Sequence, residues 1–202
     1  MAGSAPAMAG SAPAMAPLGG RGGPSAGMTD MTLSMSDTAL QDVPPFAGHS
    51  PDQERPLGSY ALLLGSFAAA CGGFAVALRR SGKDLPERVE SRDLALVAVA
   101  SFRASRIIAR DRVTSAIRAP FSRFQNDAGQ GEVDEAARGH GVQRVLGELL
   151  ICPYCLDVWT AAAFLGGLLT APRATRWIAS VFVVVSAADA LQIAYAKAES
   201  AL

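Results

Sequence analysis

The chain has 202 residues, with 18 basic and 18 acidic side chains, so its formal net charge is zero and gives no sign of a nucleic-acid partner. Half of it is apolar and only 18% is charged, below the roughly 25% usual in soluble domains. Because the apolar residues are clustered, this balance argues against an ordinary soluble domain and for an all-α membrane protein.

Residues 1–56 read as a disordered, low-complexity tail. The heptapeptide Met-Ala-Gly-Ser-Ala-Pro-Ala occurs at Met1–Ala7 and again at Met8–Ala14. Such a composition buries too little apolar surface to offset chain entropy. It has no basic segment followed by an apolar one, so it does not resemble a secretory signal. All six methionines lie at or before Met35, which fits a translation start at Met28, Met31 or Met35.

Residues 57–78 carry no charge. A helix of that length covers about 33 Å, enough for a hydrocarbon core of about 30 Å. Gly65, Ala69 and Gly73 recur every four residues, a spacing that permits close helix contact in lipid. Cys71 lies in the same run and reads as a small hydrophobe. Arg79, Arg80 and Lys83 follow, which places this end in the cytoplasm and the tail outside. Residues 79–93 form a charged connector.

Residues 94–110 predict a helix that is apolar at its start and basic at its end. Arg103, Arg106 and Arg110 share one face of it. A straight crossing would place Arg103 about 13 Å deep, which is costly without a partner. The segment therefore either lies at the interface or crosses with its arginines paired. Residues 111–150 read as a loop, with Gln125–Gly141 at the surface. His140, between Gly139 and Gly141, reads as exposed.

Residues 153–171 form the next helix, Pro172 ends it, and a last helix runs from Arg176 to about Lys197. The two make a C-terminal helical hairpin over 153–197. Ser186, Asp189 and Gln192 draw a polar stripe on the last helix, and an acid in a span usually faces another protein group. The architecture expected is three firm transmembrane helices plus one amphipathic or partly spanning helix. Residues 94–198 form the membrane domain. The box at Cys152 is then cytoplasmic.

The box Cys152-Pro153-Tyr154-Cys155 opens the hairpin. Proline suits the first helical position, which makes Cys152 the N-cap. There a thiolate is favoured by free backbone N–H groups and by the helix dipole. That is the physical basis of thiol-disulfide exchange at Cys-x-x-Cys boxes. The spelling matches glutaredoxins, but no strand-helix-strand pattern surrounds it, and the charge of Asp157 opposes a low thiol pKa. A zinc site needs four ligands and the box supplies two, so Cys152 and Cys155 are weak metal candidates. No cofactor is expected.

Arg103-x-x-Arg106, Asp111-Arg112-Val113-Thr114 and Arg118-Ala119-Pro120-Phe121 come in order. They are followed by Gly147-Glu148-Leu149-Leu150-x-Cys152-Pro153-Tyr154-Cys155-Leu156-x-x-Trp159. This series resembles the bacterial domain-of-unknown-function family 1360, small integral membrane proteins that include a sporulation-associated member. The resemblance covers residues 94–198. It implies a multi-pass protein of the bacterial cell membrane and brings no activity, substrate or cofactor.

The functional site is expected where the arginine face, the box and the membrane-embedded acids meet. Its candidate residues are Arg103, Arg106, Arg110, Asp111, Arg118, Glu148, Asp157, Trp159 and Asp189, with one or more arginines paired to Asp157 or Asp189. The partners expected are the lipid bilayer, anionic lipid at the Arg103–Arg123 segment, and a second copy or another membrane protein. A non-enzymatic interaction or assembly component is the first reading. A membrane thiol-disulfide oxidoreductase using Cys152 and Cys155 is the alternative. A transporter is disfavoured, because so few helices hold no internal repeat.

Overall fold

The computed structural model describes residues 55–82 and 85–201, together with Pro44 and His49. The expected disordered tail lies, up to residue 54, almost entirely outside the described residues, as does Lys83.

Four long helices dominate: α1 (Leu57–Arg80), α2 (Ser91–Arg110), α5 (Pro153–Thr170) and α6 (Pro172–Glu199). Between α2 and α5 come a 3-10 turn (Arg112–Thr114), a short helix α3 (Ser115–Arg118), strands β1 (Ser122–Gly129) and β2 (Glu132–Ala137), and helix α4 (Gly141–Ile151). The fold is therefore mostly helical with a small two-stranded sheet, which corrects the all-α expectation. The expected loop over 111–150 is also corrected, because it holds the hairpin and a helix of 11 residues.

Helix α2 is the centre of the bundle. Val97, Ala100, Ser101, Ala104 and Ser105 are buried, at the i, i+3, i+4, i+7, i+8 positions of one helical face. Four of the five are small, so α5 and α6 can both approach its backbone closely. Side-chain contacts fix the direction of each rod. Asp93 at the start of α2 takes both guanidinium arms of Arg176, near the start of α6, at 2.9 and 2.7 Å. Further along, Arg103 meets Asp189 at 2.9 Å. Helices α2 and α6 are thus parallel. Ser105 donates to Asp157, early in α5, at 2.6 Å, so α5 runs antiparallel to both. Only Ala171 separates α5 from α6, which begins at Pro172 and not at Arg176.

Helix α1 lies on the outside of the bundle. Tyr60 donates to Glu148 of α4, Phe67 meets Trp159 edge-on with ring centroids 4.9 Å apart, and Phe74 lies against Gly166. Helix α1 therefore runs parallel to α5, and Arg79-Arg80 end opposite the Cys152–Cys155 box. This corrects the expectation that these arginines and the box share one side. It also shows α2 running the length of the bundle, not lying across its end. Gly65 and Gly73 have open space around them among the described residues, so the two glycines of the small-residue stripe of α1 are not seats of close helix contact there.

Among the described residues, α1 and α6 are long and apolar enough to cross a membrane. Helix α5 reaches that standard only when joined to α4, and the two are bent by 83° at Cys152. The third firm span is accordingly not independent of α4, which turns aside at the end of the bundle. Strand β2 packs on α4 through a close approach at Gly147. A Cβ there would stand 2.3 Å from the carbonyl oxygen of Phe121 and 3.1 Å from Cβ of Ala137. The hairpin turns at Gln130-Gly131, with φ of 50° and 83°, the left-handed pair that suits a two-residue hairpin loop.

Gly147→Ala forces the hairpin off α4 and is expected to lower stability by about 1–3 kcal/mol. Gly72→Ala, in open space within α1, is expected to leave it unchanged or raise it by up to about 1 kcal/mol. Thermal unfolding in detergent, followed by circular dichroism, compares the two.

Candidate functional site

The arginines that end α2 meet acids that the chain supplies later. Arg106 and Arg110 are one helical turn apart, about 6 Å along the axis. Glu132 and Asp134 are two residues apart on β2, about 7 Å. The two spacings match, so each arginine finds its own carboxylate. Arg106 binds Glu132 with two hydrogen bonds, Nε to Oε1 at 2.7 Å and Nη2 to Oε2 at 2.9 Å. Arg110 donates to Asp134 through Nη1. Arg112 pairs with Asp127 at 2.9 Å, where both side chains are well exposed.

Arg118 and Glu135 form the buried centre of this cap, with side chains 0% and 4% exposed. Nε and Nη2 of Arg118 donate to the two oxygens of Glu135 at 3.1 and 2.9 Å. The remaining N–H groups reach the carbonyls of Ile108 and Asp111 and the hydroxyls of Thr114 and Ser115. Thr114 in turn donates to the Ile107 carbonyl at 2.6 Å. The carbonyls of Ile107 and Ile108, in the last turn of α2, thereby gain side-chain donors. The Asp-Arg-Val-Thr and Arg-Ala-Pro-Phe motifs are thus the parts of one knot.

Ser115 and Ser122 complete the shell of Glu135. Burial alone pushes the Glu135 carboxyl up. The hydrogen bonds from Arg118, Ser122 and Ser115 outweigh that and hold it below the ordinary glutamate value. Asp111 is the opposite case. Burial raises its carboxyl, helped by the charges of Glu132 and Asp189 and opposed by Arg103 and Arg106.

Deeper in the bundle, Arg103 is 15% exposed and Asp189 39%. The expected pairing of the arginine face with an acid of the C-terminal hairpin is present in this pair. Nε of Arg103 is buried without a hydrogen-bond partner. Asp157 takes no arginine; its hydrogen bond comes from Ser105. Glu148 accepts from Arg144 at 3.1 Å and from Tyr60, and Trp159 packs on Phe67. These two candidates hold α1 and lie apart from the arginine cluster. Five of the six arginines between 103 and 123 are therefore ion-paired within the chain.

Cys152 and Cys155 are joined in a disulfide with Cα atoms 5.3 Å apart. As the sequence predicts, Cys152 is the N-cap of α5 with Pro153 first in the helix, and its sulfur accepts from the N–H of Cys155 at 3.2 Å. Among the described residues no group of three or more His, Cys, Asp or Glu is placed to hold a metal ion. A cleft of about 270 Å³ opens beside the box, between the hairpin and the ends of α2 and α5. Phe102, Ser105, Arg106, Glu132, Tyr154 and Asp157 are among its walls.

The acids of β2 escape a sequence reading that takes 111–150 as a loop. The signal that could have exposed them is the run Glu132-Val133-Asp134-Glu135 after Gly129-Gln130-Gly131. Its charges have the spacing of the arginines upstream.

A helical bundle with two helices long and apolar enough to cross a membrane, closed at one end by an ion-paired cap, defines a small, mostly helical protein with candidate membrane spans. The chain belongs to the family described as Protein of unknown function (DUF1360), whose model matches residues 96–195. It is similar to the Sporulation protein YjcA of Bacillus subtilis (strain 168), with 27% identity over 107 residues, covering 52% of this chain and 91% of that protein. No solved structure gives a significant match. The matched region begins in α2 and ends in α6, so the family core is the bundle and its cap, and α1 lies outside it.

Arg118→Ala leaves Glu135 buried without its counter-charge and is expected to cost about 3–5 kcal/mol. The Glu135 contribution is present above its unfolded value, about 4.5, and is lost as pH falls through the depressed folded value. Amide protection factors in β1 and β2 are therefore expected to fall in the native protein as pH drops below 4.5. Glu135→Gln is expected to flatten that dependence.

Proposed function

We propose that this protein is a multi-pass, non-enzymatic component of a bacterial membrane assembly. Its ion-paired cap is the part it presents to other molecules. The observation that carries this reading is the distribution of exposed apolar side chains. Leu62, Leu64 and Val76 on α1, and Ile178, Val181, Val184 and Leu191 on α6, all stand exposed, a surface that suits lipid. Trp177 and Tyr195 mark the two ends of α6. They stand about 27 Å apart along the axis, close to a hydrocarbon thickness, and both residue types favour the membrane interface. The sporulation role of the similar Bacillus protein is carried to this chain as part of the same proposal.

The cap is read here as extracytoplasmic. Both ends of the bundle are rich in basic residues, so the positive-inside rule does not separate them. What favours this orientation is the Cys152–Cys155 disulfide, since disulfides persist in oxidising compartments. Helix α1 then starts outside and Arg79-Arg80 end inside. The expected cytoplasmic box is the reverse arrangement, in which both thiols stay reduced.

In a variant lacking native cysteines, Gln130→Cys is expected to react with an impermeant maleimide in intact cells. Arg88→Cys is expected to react only after permeabilisation. The opposite pattern places the cap inside.

A second reading, the thiol-disulfide oxidoreductase, is favoured by one observation. The Cys152 sulfur accepts the Cys155 N–H, which would stabilise a Cys152 thiolate as Cys155 is attacked. Thiol trapping in membranes tests it: an enzyme is expected to cycle between oxidised and reduced forms. A box that stays oxidised, with a Cys152→Ser strain behaving as wild type, removes this reading.

A further inference from the structure

The cleft beside the box carries the two halves of a zwitterion-binding site. We propose that it holds a phosphoethanolamine headgroup, supplied by membrane lipid, an inference that rests on the membrane reading above. Asp157 receives the ammonium; Arg106 and Arg110 receive the phosphate.

Three features lead there. The first is the state of the charges. Asp157 lines the cleft, and among the described residues no arginine or lysine pairs with it. Its side-chain partner among the described residues is the Ser105 hydroxyl, on one carboxylate oxygen. The other oxygen is left to accept from a cation. A half-buried carboxylate in this setting gains most from a cation that also donates N–H groups.

The second is donor capacity. Arg106 uses Nε and Nη2 on Glu132, which leaves its Nη1 group free of those bonds. Arg110 uses Nη1 on Asp134, which leaves Nε and Nη2. A guanidinium carries five N–H groups, so each arginine can hold its carboxylate and still donate to a phosphate oxygen. The ion pairs fix the two forks in place before any ligand arrives.

The third is place and shape. Phe102 and Tyr154 wall the cleft and are both exposed. Tyr154, at the start of α5, lies close to the level where Tyr195 marks the end of α6, a position where aromatic rings meet headgroups. Phe102 lies about two helical turns deeper. The cleft volume of about 270 Å³ corresponds to roughly nine waters, room for a headgroup and not for an acyl chain. The carboxylates and guanidiniums lining it nearly cancel. A purely anionic headgroup would leave Asp157 facing like charge, and a quaternary ammonium would bring no N–H to it.

The test uses the full chain, purified in mild detergent and offered phosphatidylethanolamine, phosphatidylcholine and phosphatidylglycerol in equal amounts, with bound lipid read by native mass spectrometry. The wild type is expected to retain phosphatidylethanolamine over both others. Asp157→Asn is expected to lose that preference by about tenfold, the worth of one charge-assisted hydrogen bond. Asp127→Asn, in an exposed ion pair outside the cleft, is expected to keep it. Equal retention of the three lipids by the wild type overturns the proposal without reference to any variant, as does an Asp157→Asn protein that prefers phosphatidylethanolamine as strongly as the wild type. Soluble glycerophosphoethanolamine that displaces the lipid at equal concentration overturns the lipid as the source. Carbonate extraction of cell membranes is run alongside. A chain released by carbonate defeats the membrane reading, whereas an embedded chain with no lipid preference defeats only the headgroup site.

Discussion

The guanidinium of Arg118 has no solvent contact, and its N–H groups all lie within hydrogen-bond reach of oxygens. Removing such a charge from water is expensive, and an ion pair offsets that only when geometry and auxiliary hydrogen bonds are complete. Here they are complete because four segments converge on one side chain: the end of α2, the 3-10 turn, α3 and β2. The requirement runs both ways. The hairpin has a small apolar anchor in Val133, and a two-stranded hairpin alone is marginal in water. Arg118 and Glu135 give it a fixed seat, and the seat then sets the register in which Glu132 and Asp134 face Arg106 and Arg110.

That register decides the electrical character of the whole end. A segment with six arginines would present a strong positive field if they were free. With five of the six ion-paired, they form a nearly neutral lattice in which individual N–H groups remain unused by the ion pairs. Such a surface favours recognition by shape and hydrogen bonding over long-range attraction. Exposed apolar residues Val113, Ile117 and Phe124 belong to the same cap.

The sequence made some of this legible and hid the rest for physical reasons. The uncharged run at 57–78 and the proline at 153 are local signals, and α1 and the Cys152 cap follow from them. The Arg103–Asp189 pair was legible because two charges in apolar helices have few other places to go. The hairpin was hidden because Glu132, Asp134 and Glu135 look like solvated acids until their partners, 17 to 26 residues upstream, are known. Register shifts in β1 further break the alternation that would announce a strand. The course of α2 stays open in the sequence, between lying at the interface and crossing, because the acids that pair with Arg106 and Arg110 lie in the unrecognised hairpin and because Asp93 meets Arg176 only across 83 residues of sequence.

The long sequence separation of Arg103 and Asp189 has a consequence for how the protein is made. On the membrane reading, α2 leaves the ribosome well before α6 exists. Until then Arg103 has no counter-charge, and α2 by itself is a poor membrane segment. Its stable entry into the bilayer must wait for a helix translated later. Biogenesis is therefore not a sequence of independent insertions. It is a late, joint event in which α5 and α6 draw α2 in between them, and the cap closes once α2 is seated.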